Sequence, residues 1–321
     1  MRIYVSLINK TMLMKKVYLM FFGTMFAMCA MAQQGKGGLV LDSTYTTTGD
    51  GTRQEKSINE YNANKQQTAT FMYSYKDKNG NQLSVPLLTS KTEPTYDAQS
   101  RVTKLNTYSY ANDAYTLTAV MEMSGFNSSG LPTVTIMKAV SEEDPSAGLQ
   151  NMMKTEVTKF GNYGSEDEKT YMWQDGDWME MSTVHIDYNN DGTVAKETED
   201  MGGYMTTVTT YEYDANQNVT KETASMTMMG TSYGNTVTEY TNEYYADGNL
   251  KKVTTIRNES TSVDYYFWGD GKAKGGVIST AIQMVKRQQE QMLRIYDLQG
   301  RSVKHATKGL YIVNGRKMMI K

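Results

Sequence analysis

Over residues 33–269 the chain alternates its apolar residues instead of clustering them. TTVTTYEYD (Thr206 to Asp214) and NTVTEYTNEYY (Asn235 to Tyr245) are rich in Thr, Tyr and Val, and a pattern of that kind predicts β-strands. Between the strand-like stretches, turn sequences recur. EYNANKQQTAT begins at Glu60, TYDAQSRVTKL at Thr95, DYNNDGTVAKETE at Asp187, EYDANQNVTKET at Glu212 and YYADGNLKKVTT at Tyr244. Aligning each on an aromatic followed by a turn gives anchors at Tyr61, Tyr96, Phe126, Phe160, Tyr188, Tyr213 and Tyr244, spaced 25 to 35 residues apart. Repeats of that length are often helical, but the Thr, Tyr and Val between the anchors exclude helices. Asn79-Gly80, Asp191-Gly192 and Asp247-Gly248 supply the positive φ that closes hairpins. Each unit reads as strand, tight turn, strand.

The faces of these strands shape the expected architecture. In Thr206 to Asp214 one face carries Thr207, Thr209, Tyr211 and Tyr213, and the other Val208, Thr210 and Glu212. Neither is a Leu/Ile/Val face fit for a thick sandwich. Tyr and Thr pack across strands while tolerating water. The expectation is an all-β chain, an elongated antiparallel β-hairpin repeat array with a small C-terminal β module, each hairpin stabilised by its neighbours.

At the anchors the chain resembles YD repeats, the Tyr-Asp-x-x-Gly units of Rhs-type and wall-associated surface proteins. The resemblance covers most of residues 55–265. Asn62, Asn127 and Asn189 stand where Asp belongs, and Gln66, Ser100 and Gln217 or Asn218 fall where Gly is expected. The resemblance implies secreted β-hairpin arrays that bind or encase, and it implies no catalytic residue.

The first 32 residues read as a signal peptide. Lys15 and Lys16 precede the apolar run Val17 to Met28, and Ala30-Met31-Ala32 gives a small-x-small cleavage pattern, which makes Gln33 the expected mature N-terminus. The start is Met1 or Met14, since MKK at Met14 opens a well-formed signal by itself. Cys29, the single cysteine, lies inside this segment, and a lipoprotein reading would place Met28 where a small residue is needed. The mature chain therefore has no disulfide.

Charge divides the rest. The whole chain carries −2, and removing Arg2, Lys10, Lys15 and Lys16 leaves 29 cations against 35 acids. Residues 270–321 hold 11 Lys/Arg against 3 Asp/Glu, which leaves 18 against 32 for residues 33–269. So acidic a region is a poor partner for nucleic acid. The switch of sign near Gly269 marks a domain edge. The predicted organisation is a signal over 1–32, the repeat region over 33–269 and a basic module over 270–321.

The basic end is the more specific stretch. IYDLQGRSVKHATKGLYIVNGRKMMIK (Ile295 to Lys321) reads as strand, turn at Leu298-Gln299-Gly300, strand, turn at Gly309, strand Leu310 to Val313, hairpin turn at Asn314-Gly315, and a last strand. It looks like the end of the C-terminal sorting domain of type IX secretion substrates. The residues carrying the likeness are Tyr296, Asp297, Gly300, Arg301, Lys308, Gly309, Tyr311, Asn314 and Gly315. The resemblance implies type IX-like secretion machinery as a partner. The usual Tyr-Pro-Asn-Pro opening strand is absent, and Ser279 to Met292 reads there as a short amphipathic helix. The bland alternative is that this end caps the repeat array.

Candidate chemistry is sparse. Asp187, Asn189 and Asp191 sit at calcium-loop spacing before Gly192, but position twelve is Thr198 and the flanks are strands, so a hairpin turn accounts for them better than a metal loop. Trp173 and Trp178 flank a DG turn in WQDGDW, as a cross-strand pair or as a sugar-stacking platform. Met121/Met123, Met179/Met181 and Met226/Met228 share strand faces and read as core filler before soft-metal ligands. His185 and His305, the two histidines, support neither a zinc site nor a triad. No cofactor is expected. The sequence thus predicts an exported, non-enzymatic protein of the cell surface or medium, periplasmic if the tail does not sort, that binds a polysaccharide or surface protein. A glycan-binding or glycan-processing protein is the alternative.

Overall fold

The computed structural model describes residues 35–141 and 144–271, together with the backbone of four short strands between 295 and 320. The signal segment 1–32, the helix expected over Ser279 to Met292 and the turn at Asn314-Gly315 lie outside the described residues. The chain divides after Lys272, and the two units are taken separately.

The first unit is built from sixteen strands. Val40–Thr48 (β1), Arg53–Tyr61 (β2), Gln67–Lys76 (β3) and Gln82–Tyr96 (β4) open it. Val102–Ala111 (β5), Ala114–Ser124 (β6), Val134–Val140 (β7) and Leu149–Phe160 (β8) follow. Ser165–Gln174 (β9), Asp177–Tyr188 (β10), Val194–Met201 (β11) and Met205–Tyr213 (β12) come next. Val219–Met228 (β13), Thr231–Tyr244 (β14), Leu250–Arg257 (β15) and Ser260–Gly269 (β16) complete it. Each strand pairs antiparallel with its neighbours in sequence, and β1 pairs with β16 from Val40↔Gly269 to Thr48↔Ser262.

That last pairing overturns the elongated array. The unit is a closed barrel, all-β as expected but without a free edge. Closure satisfies the backbone groups that an open array leaves at each end.

The anchor residues explain how the sheet curves. At Tyr61, Tyr96, Phe160, Tyr188, Tyr213 and Tyr244 the register with the following strand shifts. A bulge bends its strand and strengthens the local twist, and repeating it hairpin after hairpin rolls the sheet. Beyond each tyrosine anchor comes the same turn. The N–H groups of Asn62, Asp97, Asn189 and Asp214 donate to the carbonyl four residues on, and the residue three on donates back. Lys65, Ser100 and Gln217 take the left-handed conformation there (φ 60°, 63° and 62°) where Gly192 does so elsewhere. An L residue disfavours that region; the Asx side chains offset this by accepting the N–H of Asn64, Gln99 and Asn216.

The anchors also join one hairpin to the previous one. Tyr61 Oη donates to the Leu41 carbonyl (2.6 Å), Tyr96 Oη to Gln67 (2.9 Å), Tyr188 Oη to Ser165 (3.0 Å) and Tyr213 Oη to Val194 (2.8 Å). The repeat is thus a bulge, a turn and a tyrosine latch.

The second unit holds Ile295–Tyr296 (β17), Ser302–Val303 (β18), Gly309–Val313 (β19) and Arg316–Ile320 (β20). They form an antiparallel sheet in the order β18-β17-β19-β20.

Candidate functional site

Cross-strand partners and alternate residues share a face, so the register carries two faces around the barrel. One is ionic. On it Lys196 faces Asp187 (2.7 Å), Lys221 faces Glu212 (3.1 Å) and Lys252 faces Glu243 (2.6 Å). Glu122 lies 3.5 Å from Lys104 and 2.7 Å from Lys138, and Lys169 reaches Glu180 at 2.7 Å. In β14 this face, with Glu239 and Glu243, is exposed, whereas Thr236, Thr238, Tyr240, Asn242 and Tyr244 on the other are half-buried or buried.

The opposite face is apolar in β5 to β8 and acidic beyond. Leu105, Met121 and Met123 form a buried cluster against which Val102 and Phe126 pack, and Met137 and Met153 are buried as well. Met179, by contrast, is 52% exposed near the rim. Further round, the register places Glu168 and Glu199 either side of Val184, Glu197 beside Ile186, and Glu222 beside Tyr211. Burial, then Glu199, Glu168 and Glu222, push the Glu197 carboxyl up to about 6. Burial, then the Glu222 carboxylate that accepts its hydrogen bond (3.1 Å), push the Tyr240 hydroxyl up to about 12.

The residues singled out in the sequence do not converge. Trp173 and Trp178 are direct cross-strand partners, ring centres 5.0 Å apart and tilted 68°. Lys154 Nζ covers Tyr171 (4.1 Å) and Trp178 (5.4 Å) beside them. An edge-to-face pair of this kind clamps a hairpin. Asp187 is engaged by Lys196 and by His185 Nε2 (3.2 Å), and His185 Nδ1 meets Asp167 (2.6 Å). Hydrogen bonding to Asp167 leads the causes that raise the His185 imidazole above its ordinary value. Asp191 accepts from Thr193 N (3.1 Å) and Oγ1 (2.6 Å), and Asn189 Nδ2 donates to Thr193 Oγ1 (2.9 Å). Asn189 and Asp191 close a turn while Asp187 belongs to the ionic wall. Among the described residues no group of three or more His, Cys, Asp or Glu is placed to hold a metal. Of the tail residues, Tyr296, Gly309 and Tyr311 lie in strands; Asp297, Gly300, Arg301, Lys308, Asn314 and Gly315 lie outside the described residues.

Sequence reasoning missed a different constellation. Where β16, β1, β2 and β3 adjoin, the ionic face turns aromatic. Tyr45 stacks on Tyr265 (4.8 Å, 12°) and on Phe267 (6.4 Å, 16°). Arg53 lies 5.9 Å from the Tyr45 ring centre and 5.6 Å from that of Tyr75. Lys56 pairs in register with both Tyr45 and Tyr73. Burial pulls its ammonium below the ordinary lysine value, against the Asp42 carboxylate. Tyr45, Tyr75, Phe267, Arg53 and Lys56 line a cavity of about 340 Å³ to which no carboxylate contributes. Phe267 also lines a neighbouring cavity of about 480 Å³ with Tyr245, Asp247 and Trp268. The only sequence signal for this site was the density of aromatics in Tyr265 to Trp268.

No family model matches the chain, and no curated protein matches it. Solved structures give slight overlaps. A porin-like protein from Bacteroides uniformis is 13% identical over 71% of this chain and 98% of its own, with a TM-score of 0.37. A Bacteroides fragilis protein of unknown function is 12% identical over 40% of this chain and 89% of its own, at 0.31. A TcdB2-TccC3-Cdc42 structure is 11% identical over 70% of this chain, which spans 16% of that one, at 0.24. Overlaps this slight transfer neither a role nor a location.

Proposed function

We propose that this chain is an exported β-barrel that stands in water at the cell surface and works by binding, not by catalysis. The observation behind this reading is that both faces of the wall carry ionisable side chains at mid-strand. One face presents Lys138, Lys154 and Lys169, and the other Glu168, Glu197, Glu199 and Glu222. Whichever face is turned outward, charges would meet hydrocarbon if the barrel spanned a bilayer, at about 2–4 kcal/mol for each Lys at the midplane. In water the lysines of the first face form ion pairs with neighbouring carboxylates at no such cost. On this reading residues 295–321 address the chain to type IX-like secretion machinery, and the partner is an extracellular polysaccharide or a surface protein.

A lipid-spanning pore is the second reading, favoured by the even-numbered, antiparallel, closed sheet. Fractionation separates the two. Full-length protein and a version lacking residues 295–321 are expressed in a native host, and membranes are washed with alkaline carbonate without detergent. The proposal expects full-length protein at the surface or in the medium, released by carbonate, with the truncated form held in the periplasm. Full-length protein that only detergent releases would overturn the water-facing reading. Truncated protein reaching the surface equally well would remove the sorting role.

A further inference from the structure

The wall formed by β16, β1, β2 and β3 differs from the rest of the ionic face in what its cations touch. Elsewhere the lysines of this face meet carboxylates within 3.5 Å, as Lys104, Lys138, Lys169, Lys196, Lys221 and Lys252 do. Arg53 instead lies over two tyrosine rings, and among the described residues its guanidinium makes no ion pair. Ring faces attract a guanidinium without accepting all of its N–H groups, which leaves donors for an anion. Lys56, half-buried beside it, likewise has no ion-pair partner among the described residues. Burial of Lys56 outweighs the pull of the Asp42 carboxylate, and Arg53 adds repulsion, so a bound anion relieves both the repulsion and the lost hydration.

The aromatic part narrows the ligand. Tyr265, Tyr45 and Phe267 form a nearly parallel stack, and Phe267, 42% exposed, stands where the two cavities meet. An open ring face beside hydrogen-bonding groups suits a ligand that is apolar on one side and polar at its edge. A pyranose ring has that character. Arg53 and Phe267 lie 5.9 and 6.4 Å from the same Tyr45 ring, so one short oligosaccharide reaches both.

We infer that this wall is a binding site for an acidic saccharide, its sugar face on Phe267 and its carboxylate or sulfate between Arg53 and Lys56. The inference rests on the binding role proposed above and gives it a ligand class and a place. The second cavity, with Trp268 and Tyr245 around it and Asp247 as an acceptor, receives the next ring of the chain.

The test is affinity electrophoresis of the full exported protein through gels containing polygalacturonate, dextran sulfate or neutral dextran. The expected result is retardation by one or both acidic polymers and none by neutral dextran. The carboxylated and the sulfated polymer tell which acid the site prefers. Arg53→Gln with Lys56→Gln is expected to weaken binding by about tenfold or more, and Phe267→Ala by about threefold to tenfold. Melting temperatures of the variants verify that they are folded, and Arg53→Gln alone replaces the double variant if that one is not. No retardation by either acidic polymer, or retardation that both sets of variants leave unchanged, would overturn the site. Loss on the cation variants with none on Phe267→Ala would make the ligand a bare anion and overturn the saccharide. Binding is read in a gel and location by fractionation, so a surface protein that ignores acidic polymers removes this site alone. A detergent-requiring protein that binds them removes only the water-facing reading.

Discussion

Two stretches of one face of the barrel use the same strand geometry to opposite ends. Along β8 to β12 the cations are spent within the wall. Lys154 meets Glu156, Lys169 meets Glu180, and Lys196 meets Asp187, each at 2.7 Å. Along β16, β1, β2 and β3 the cations Arg53 and Lys56 are placed among Tyr45, Tyr73 and Tyr75, with no carboxylate in the cavity lining or in an ion pair with either among the described residues. A wall whose charges are satisfied holds hairpins together and is indifferent to solutes. A wall whose charges are left open is stabilised when a solute supplies what is missing. The difference separates scaffold from site.

The largest effect is expected at the centre of the aromatic stack. Tyr45→Ala removes a half-buried ring that touches Tyr265, Phe267 and Arg53 on the strand that closes the barrel. The expected loss is about 2–3 kcal/mol, below the cost of a fully buried ring, read from urea unfolding. A change under about 0.5 kcal/mol would mean that the stack adds nothing to closure.

The next effect lies behind the satisfied wall and has the opposite sign. Burial first, then crowding by Glu199, Glu168 and Glu222, raises the Glu197 carboxyl from 4.5 to about 6. A carboxyl raised in the folded state favours folding in its protonated form. Its penalty is therefore absent below about pH 4.5 and complete above about pH 6. Glu197→Gln is expected to stabilise the barrel by about 1–2 kcal/mol at pH 7.5 and to do nothing at pH 4. Unfolding curves at the two pH values check it, and equal effects at both would show that the crowding is not electrostatic.

These two regions were unequally legible in the sequence. The hairpins were visible because their signals are local. Asn79-Gly80, Asp191-Gly192 and Asp247-Gly248 take the positive φ expected of them at Gly80, Gly192 and Gly248, and Trp173 and Trp178 face each other across their turn. Closure was invisible because Val40–Thr48 pairs with Ser260–Gly269 across more than two hundred residues, and no local pattern records such a pairing. The degenerate repeat also misled. Its anchor aromatics suggested units stacked in a line, while in the structure they sit at register shifts that bend the sheet round. The cationic wall was hidden for the reason that hid closure. Arg53 and Phe267 become neighbours only when the first strand meets the last.

The tyrosine latches supply a smaller test that bears on both walls. Tyr213→Phe deletes one hydrogen bond to the Val194 carbonyl and leaves the ring in place. The expected cost is about 1 kcal/mol. The equivalent change Tyr61→Phe leaves the Leu41 carbonyl beside the closing strand with its second donor, Asn59 Nδ2 (2.8 Å), and should cost no more than that. A markedly larger loss at Tyr61 would place the weakest seam of the barrel at β1, next to the aromatic wall.

The smallest expected effect is the one that most directly separates the walls. Glu180→Gln removes the partner of Lys169 on the satisfied wall, where both side chains are well exposed. Solvent screening holds exposed pairs to between zero and about 1 kcal/mol, so a loss near 0.3 kcal/mol is expected, vanishing in 1 M salt, where the screening length is about 3 Å. The freed Lys169 returns to water at little cost. If the satisfied wall is only scaffold, Glu180→Gln leaves migration through polygalacturonate and dextran sulfate gels unchanged, although it adds the same increment of positive charge that a non-specific polyanion would detect. Retardation that grows with this substitution as much as it falls with Arg53→Gln would mean that the polymers sense total charge, and that the two walls do not differ in function.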